Sequence, residues 1–249
     1  MAKLKSLIKI EGTLDGMTFY KGKNGYIVRT KGGVSKSRIQ NDPAFIRTRE
    51  NGTEFGQMAK SGKTLRQALT PMLADVKDGT LTARMMKTMA QIKNADTTSI
   101  RGSRNVAMGL TSNEGKALLK GFDFNGNAKL TSVLISDYLL NTTTGEISIA
   151  SFIPLQQMNA PGGATHVSFM SGVLNLDFAT GDKDLQWSPA QNVAINNTEQ
   201  SVNMVPPAVP VGTGHTLYVF KMSFYQDING IQYSLNNGSF NVLHIIEIL

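Results

Sequence analysis

The chain has 249 residues, 41% of them hydrophobic, a formal net charge of +7 and no cysteine. That length suffices for one large domain or two smaller ones, and the missing cysteine excludes disulfides and thiolate chemistry. No apolar run reaches the ~18 residues of a membrane span, and the start, MAKLKSLIKIEG, lacks the apolar core and cleavage pattern of a secretory signal, so the expectation is a cytoplasmic or virion-borne protein.

Residues 7–14 read as a first strand, closed by the two-residue turn Asp15-Gly16. A hairpin follows, with strands near 17–22 and 26–31 around Lys23-Asn24-Gly25-Tyr26. Asn-Gly supplies the positive φ that a type I′ turn needs at both central positions. The three strands form an antiparallel meander. Lys21, Lys23, Arg29, Lys31, Lys36 and Arg38 then fall within 18 residues with no acid among them. Gly32-Gly33 and residues 35–37 give that run a pliable backbone. Asp42-Pro43 opens a helix, Asp as cap and Pro at the first helical position.

Residues 43–70 carry a three-four spacing: Phe45, Thr48, Gly52, Phe55, Ala59, Gly62, Leu65 and Leu69. Gly52, Gly56 and Gly62 each cost about 1 kcal/mol relative to Ala inside a helix. The expected compensation is a packing seam, Phe45, Gly52, Phe55, Gly56, Ala59, Gly62 and Leu65, that admits another backbone. A break at Asn51-Gly52 into two shorter helices is the competing reading. A second amphipathic helix spans about 80–95, with Leu81, Met85, Met89 and Ile92 on one face and Arg84, Lys87 and Lys93 on the other. Residues 96–112 read as loop or short strand, and 114–119 as a brief helix capped by Asn113.

From Phe122 the helical period disappears. Strands are expected at 129–135, 146–153, 166–178, 191–195, 216–226, 231–235 and 239–248, with a second I′ turn at Asn229-Gly230. Within 166–178 the apolar parity changes, Val167 and Phe169 on odd positions and Leu174, Leu176 and Phe178 on even ones. A bulge near Gly172 would produce that change. The terminal stretch SFNVLHIIEIL requires burial, in its own sheet or in a neighbour's groove. The fold class is α+β: an N-terminal antiparallel β-meander plus helices over 1–121, and a C-terminal antiparallel β-sandwich over 122–249.

No catalytic constellation stands out. Gly62-Lys63-Thr64 ends like a phosphate loop, but position 57 is Gln57 where the motif needs Gly, and the context is helical. His166, His215 and His244 lie far apart in or beside strands without metal-ligand spacing. No G-x-S-x-G elbow exists. Asp177, Asp182, Asp184 and Asp227 fall in turns, where Asp serves the backbone. Trp187 is a core residue or a sugar platform. The expectation is a non-enzymatic protein with no cofactor, no metal and no small-molecule substrate.

Charge is distributed unevenly. Residues 1–100 hold 18 Lys and Arg against 8 Asp and Glu, residues 101–249 hold 7 against 10. The pattern G-x-x-x-G-M-x-F-Y-K, then N-G-Y-I-V-R-x-K and N-D-P-x-F-x-R-T-R-x-N, resembles an uncharacterised family widespread in Bacteroidota genomes and mobile elements. The matching residues are Gly12, Gly16, Tyr20, Gly25, Tyr26, Arg29, Pro43, Phe45, Arg47 and Arg49, within the first 70. The resemblance implies a non-enzymatic, virion-associated or assembly-forming protein. With the charge asymmetry, the small-residue helix seam and the apolar terminal strand, the leading expectation is a structural subunit of a virion-type particle, such as a phage, or of a filament. It self-associates as a homo-oligomer through its basic N-terminal module. The alternative is nucleic-acid binding by residues 20–49. Tyr20 and Tyr26 would stack, Lys21, Lys23, Arg29, Lys31, Lys36 and Arg38 would neutralise phosphates, and Arg47 and Arg49 would extend the contact. A carbohydrate-binding sandwich is the third reading, resting on architecture alone.

Overall fold

An Asp15-Gly16 turn, with φ of 43° and 77°, organises the first sheet of the computed structural model, which describes residues 2–3, 9–23, 25–30 and 32–249. It joins β2 (Gly12–Leu14) to β3 (Met17–Gly22). β4 (Gly25–Thr30) pairs with β3, and β1 (Ala2–Lys3) with the far edge of β4, in the order β1-β4-β3-β2. Of the strand expected over 7–14, residues 12–14 are strand and 9–11 are not, while Leu7 and Ile8 lie outside the described residues. The second turn sits one residue earlier than the Asn-Gly pair suggests. Gly22 pairs with Gly25, and Asn24 lies outside the described residues. This register sets Phe19 opposite Val28 and Tyr20 opposite Ile27. A loop centred on Asn24-Gly25 would set Phe19 against Thr30 and Tyr20 against Arg29, and apolar cross-strand pairs win.

α1 (Lys36–Asn41) follows, capped by Ser35, whose Oγ accepts from the Arg38 N–H at 3.2 Å. Asp42 and Pro43 behave as their types require. The Asp42 carboxylate accepts from the Ala44 N–H at 2.9 Å, and a single 3-10 turn, Pro43–Phe45, leads into α2 (Ile46–Ala68). α2 is continuous through Asn51-Gly52. The chain divides within it, into compact units 1–49 and 50–249 rather than at residue 121.

The second unit continues with α3 (Thr70–Leu73), α4 (Leu81–Asn94), α5 (Val106–Gly109), α6 (Asn113–Leu119), α7 (Leu130–Val133), β5 (Leu139–Leu140), β6 (Ile147–Phe152) and α8 (Pro154–Gln157). Then come β7 (His166–Leu176), β8 (Lys183–Trp187), β9 (Gln191–Ala194), β10 (Gln200–Met204), β11 (His215–Ile228), β12 (Ile231–Ser234) and β13 (Val242–Ile248). The larger antiparallel sheet runs β12-β11-β7-β8, with β13 also beside β11 and β9 beside β7; the smaller is β10-β6-β5. β11 shows how the layers stack. Leu217 and Val219 join a core with Met58, Leu65, Met85, Met89 and Ile92 of α2 and α4. Tyr218, Phe220, Met222 and Phe224 join a second core with Ile147, Ile149, Phe152, Val202 and Met204 of the smaller sheet. Helices and strands of this unit thus share a core, and that shared burial removes the domain boundary expected at 121.

Burial on both faces also explains the parity change in β7. Its pairing with β11 runs unshifted from His166↔Tyr225 to Leu176↔His215, so no bulge occurs at Gly172. Val167, Phe169 and Val173 face the smaller sheet, Leu174 and Leu176 the helices. Gly172 faces the helices too, where a Cβ would overlap the sulfur of Met72. The terminal strand completes its own sheet: β13 pairs with β11. Its other edge takes Gly121 N–H to Ile245 O and Phe124 N–H to Leu243 O, each at 2.8 Å. Residues 130–133 are a helical turn rather than strand, 106–109 are helical, and α6 is capped by Ser112 Oγ rather than Asn113.

Candidate macromolecular interface

β-pleating sorts the side chains of the first unit onto two faces. The register puts Leu14, Met17, Phe19, Lys21, Tyr26 and Val28 on one face, and Thr13, Thr18, Tyr20, Ile27 and Arg29 on the other. Among the described residues of 9–49 none is buried. Leu14 is 62% exposed and Met17 43%, with Phe19, Val28, Tyr20 and Ile27 only half-buried. A few-stranded sheet reaches independent stability by covering an apolar face. Here, among the described residues of the unit, the apolar face is left partly exposed.

The ten basic and aromatic residues singled out in this region separate by role. Tyr20 and Tyr26 lie on opposite faces, so they do not form one stacking platform. Each carries its own cation, Arg29 over Tyr20 at 5.5 Å and Lys9 over Tyr26 at 5.4 Å from the ring centroid. Lys21 stands beside Tyr26 across the strand pair. Arg38 pairs with Asp42 at 3.0 Å and lies over the Phe45 ring. The Ala44 N–H, aided by Arg38, holds the Asp42 carboxyl below its usual range. Arg49 donates to Ile39 O at 2.7 Å and Asp42 O at 3.0 Å, tying α1 to the start of α2. Lys21, Lys23 and Lys36 are exposed and, among the described residues, have no partner. Arg47 is exposed; Lys31 lies outside the described residues. Residues 1–49 hold eleven Lys and Arg against three Asp and Glu, a net of +8, while 50–249 hold fourteen against fifteen.

The helix seam is displaced from the one read in the sequence. Within the chain α2 buries Glu54, Met58, Ser61, Gly62, Leu65 and Ala68. Gly62 and Leu65 belong to both sets and Ala59 is half-buried, but Phe45 is half-buried and Gly52, Phe55 and Gly56 point outward, Phe55 61% exposed. A Cβ at Gly52 or Gly56 would meet nothing within 4 Å. An acid in the seam, Glu54, explains the shift. Its carboxylate takes Lys93 Nζ at 2.7 Å, Arg104 Nε and Nη2 at 2.9 Å each and the Gly102 N–H at 2.9 Å. The Arg104 hydrogen bonds, with Lys93 and Gly102, hold its pKa at about 2. A spacing template of apolar and small residues passes over an acid, although Glu at 54 with Lys at 93 and Arg at 104 was the available signal.

Three further polar knots fasten the second unit. Asp75 accepts from Lys221 Nζ, from Ser223 Oγ at 2.8 Å and from Asn241 Nδ2 at 3.1 Å. Asp78 accepts from Arg84, Thr80 and the Gly126 N–H, and sits below the usual carboxylate range. Asp123 Oδ1 lies 2.7 Å from His244 Nδ1 and also accepts the Leu130 N–H. His166 meets Thr165 Oγ1, and burial pushes the His215 imidazole below its ordinary range. Among the described residues no three His, Asp or Glu side chains form a metal-holding group. Gly62 is packed between α2 and α4 against Met85 and Met89, which is incompatible with a phosphate loop at 62–64. Trp187 lies on β8 and is 41% exposed, so it is not a core residue. No protein-family model matches this chain, and no curated protein or solved structure is significantly similar to it.

Proposed function

We propose that the protein is a non-enzymatic structural subunit whose basic N-terminal sheet docks onto another macromolecule in an assembly of like chains. The observation that carries this reading is the sheet of unit 1–49: none of its described residues from 9 to 49 is buried, although Leu14, Met17, Phe19 and Val28 share one face. An apolar face of that kind marks an interaction surface. Covering it stabilises by roughly 25 cal/mol per Å² of apolar area removed from water. The test is light scattering behind size exclusion on the full chain and on Phe19→Glu/Val28→Glu. The wild-type chain is expected above monomer mass and the variant at monomer mass. A wild-type monomer at tens of micromolar would overturn the reading.

Nucleic-acid binding by the same unit is the second reading, favoured by Lys21, Lys23 and Lys36, which have no partner among the described residues, and by the +8 charge of residues 1–49. The distribution of aromatic residues supports contact with phosphates over base stacking, because each tyrosine face already holds a cation.

A further inference from the structure

A second concentration of positive charge lies wholly within the other unit. Arg84, Lys87, Thr88 and Gln91 of α4 line one part of an open concavity of about 560 Å³, and the segments from Leu118 to Asp123 and Gly126 with Lys129 line the rest. The size falls in the range of small-ligand sites. Four cations line it in a unit whose overall balance is slightly acidic. The one lining carboxylate, Asp123, is already committed to His244 and to the Leu130 N–H.

The four cations differ in what they have left to offer. Arg84 is held by Asp78 Oδ2, Asp123 O and Phe124 O, and lies over the Phe122 ring at 5.4 Å. Asp78 offsets its charge. Lys120 pairs with Glu247 at the surface, a contact of at most about 1 kcal/mol that a stronger anion can displace. Lys87 and Lys129 are exposed and, among the described residues, have no partner. Two free ammonium groups, a third that can be recruited, and the Thr88 and Gln91 side chains offer separate point charges and donors. Ammonium groups lack the planar fork that selects a single carboxylate, so the arrangement suits several anionic oxygens spread over more than one centre.

We propose that this concavity binds a ligand carrying two or more phosphate groups, held by Lys87 and Lys129 with Lys120. The site is independent of the assembly reading, since it uses no residue of unit 1–49. The phosphates can belong to a small polyphosphate or to a nucleic-acid strand. Both sources are tested on the full chain bearing Lys21→Gln, Lys23→Gln and Lys36→Gln, which weakens the other basic surface, and the residue-resolved shifts tell the two surfaces apart. Inorganic pyrophosphate and a short oligothymidylate are titrated separately, read by amide shifts in two-dimensional NMR. Shifts are expected at Lys87, Gln91, Lys120, Gly121 and Lys129. Lys87→Gln/Lys129→Gln should weaken binding about tenfold, or ~1.4 kcal/mol, and Lys87→Arg/Lys129→Arg should retain it. Tighter binding of the oligonucleotide identifies a strand, and tighter binding of pyrophosphate a small ligand. Absent shifts at millimolar ligand, shifts confined to other residues, or undiminished affinity in the double Gln variant would overturn the proposal.

Discussion

Glu54 occupies the buried face of α2, between Asn51-Gly52 and Met58, where the spacing pattern calls for an apolar side chain. It remains ionised there because two cations and a backbone N–H converge on it from a helix and a loop, 39 to 50 residues away. Glu54→Gln leaves Lys93 and Arg104 facing a neutral amide. Since Arg104 and Lys93 keep 27% and 13% of their side-chain exposure, the cost should fall at about 2–4 kcal/mol, toward the low end for a buried pair. The pH dependence has a definite sign. Glu54 has its pKa lowered from 4.5 to about 2, so its contribution is complete above the unfolded value and is lost as pH falls toward the folded one. Urea unfolding of wild type and Glu54→Gln should show a constant difference above about pH 5 that narrows steadily in acid. A difference unchanged down to the lower limit would remove ionisation from the account.

Elements were legible to different degrees, for physical reasons that can be named. The helices at 46–68 and 81–94, the I′ turns at Asp15-Gly16 and Asn229-Gly230, and the strands at 147–152 and 242–248 each follow from local periodicity, an apolar run or a positive-φ requirement. β8 and β10 escaped because KDLQW and QSVNM carry too few apolar residues to alternate visibly. β7 misled because a strand buried on both faces has no parity to read. The outer face of α2 now separates two expectations for its glycines. Gly52 and Gly56 sit in open space, so Gly52→Ala and Gly56→Ala should each raise the stability of the dispersed chain by about 0.5–1 kcal/mol, seen as a higher thermal midpoint. Gly62→Ala should not, since its Cβ would press within 3.2 Å of Met85 Cγ. If the bare glycines instead admit a neighbour's backbone, the two stabilised variants will lose their higher-mass species while the monomer unfolds later.

At the scale of the whole chain, charge is the property that discriminates between partners, and sequence showed its sum more clearly than its location. Counting by halves places the excess in the first 100 residues. Counting by unit places all of it in the first 49, at +8 against −1 for the remainder. Sequence could not reveal which cations are already engaged, since Asp42 accepts Arg38 from four residues away and Arg49 is turned onto backbone carbonyls. The two readings of the sheet respond to salt in opposite directions. Contact between two copies of a +8 unit is opposed by repulsion at low ionic strength, and salt shortens the Debye length to about 10 Å at 0.1 M. Apolar self-association through Phe19 and Val28 should therefore hold or strengthen as salt rises. Phosphate contacts release condensed counterions, so affinity falls with a log–log slope near −0.9 per neutralised phosphate on duplex DNA. Replacing Lys21, Lys23 and Lys36 by Gln should flatten that slope by up to about 2.7, three contacts' worth. Sedimentation of the protein alone, and of the protein with a labelled duplex, across one salt series measures both responses together. Mass that rises with salt while duplex affinity is weak and flat assigns the sheet to its own kind. A steep loss of duplex affinity that the triple variant flattens assigns it to nucleic acid.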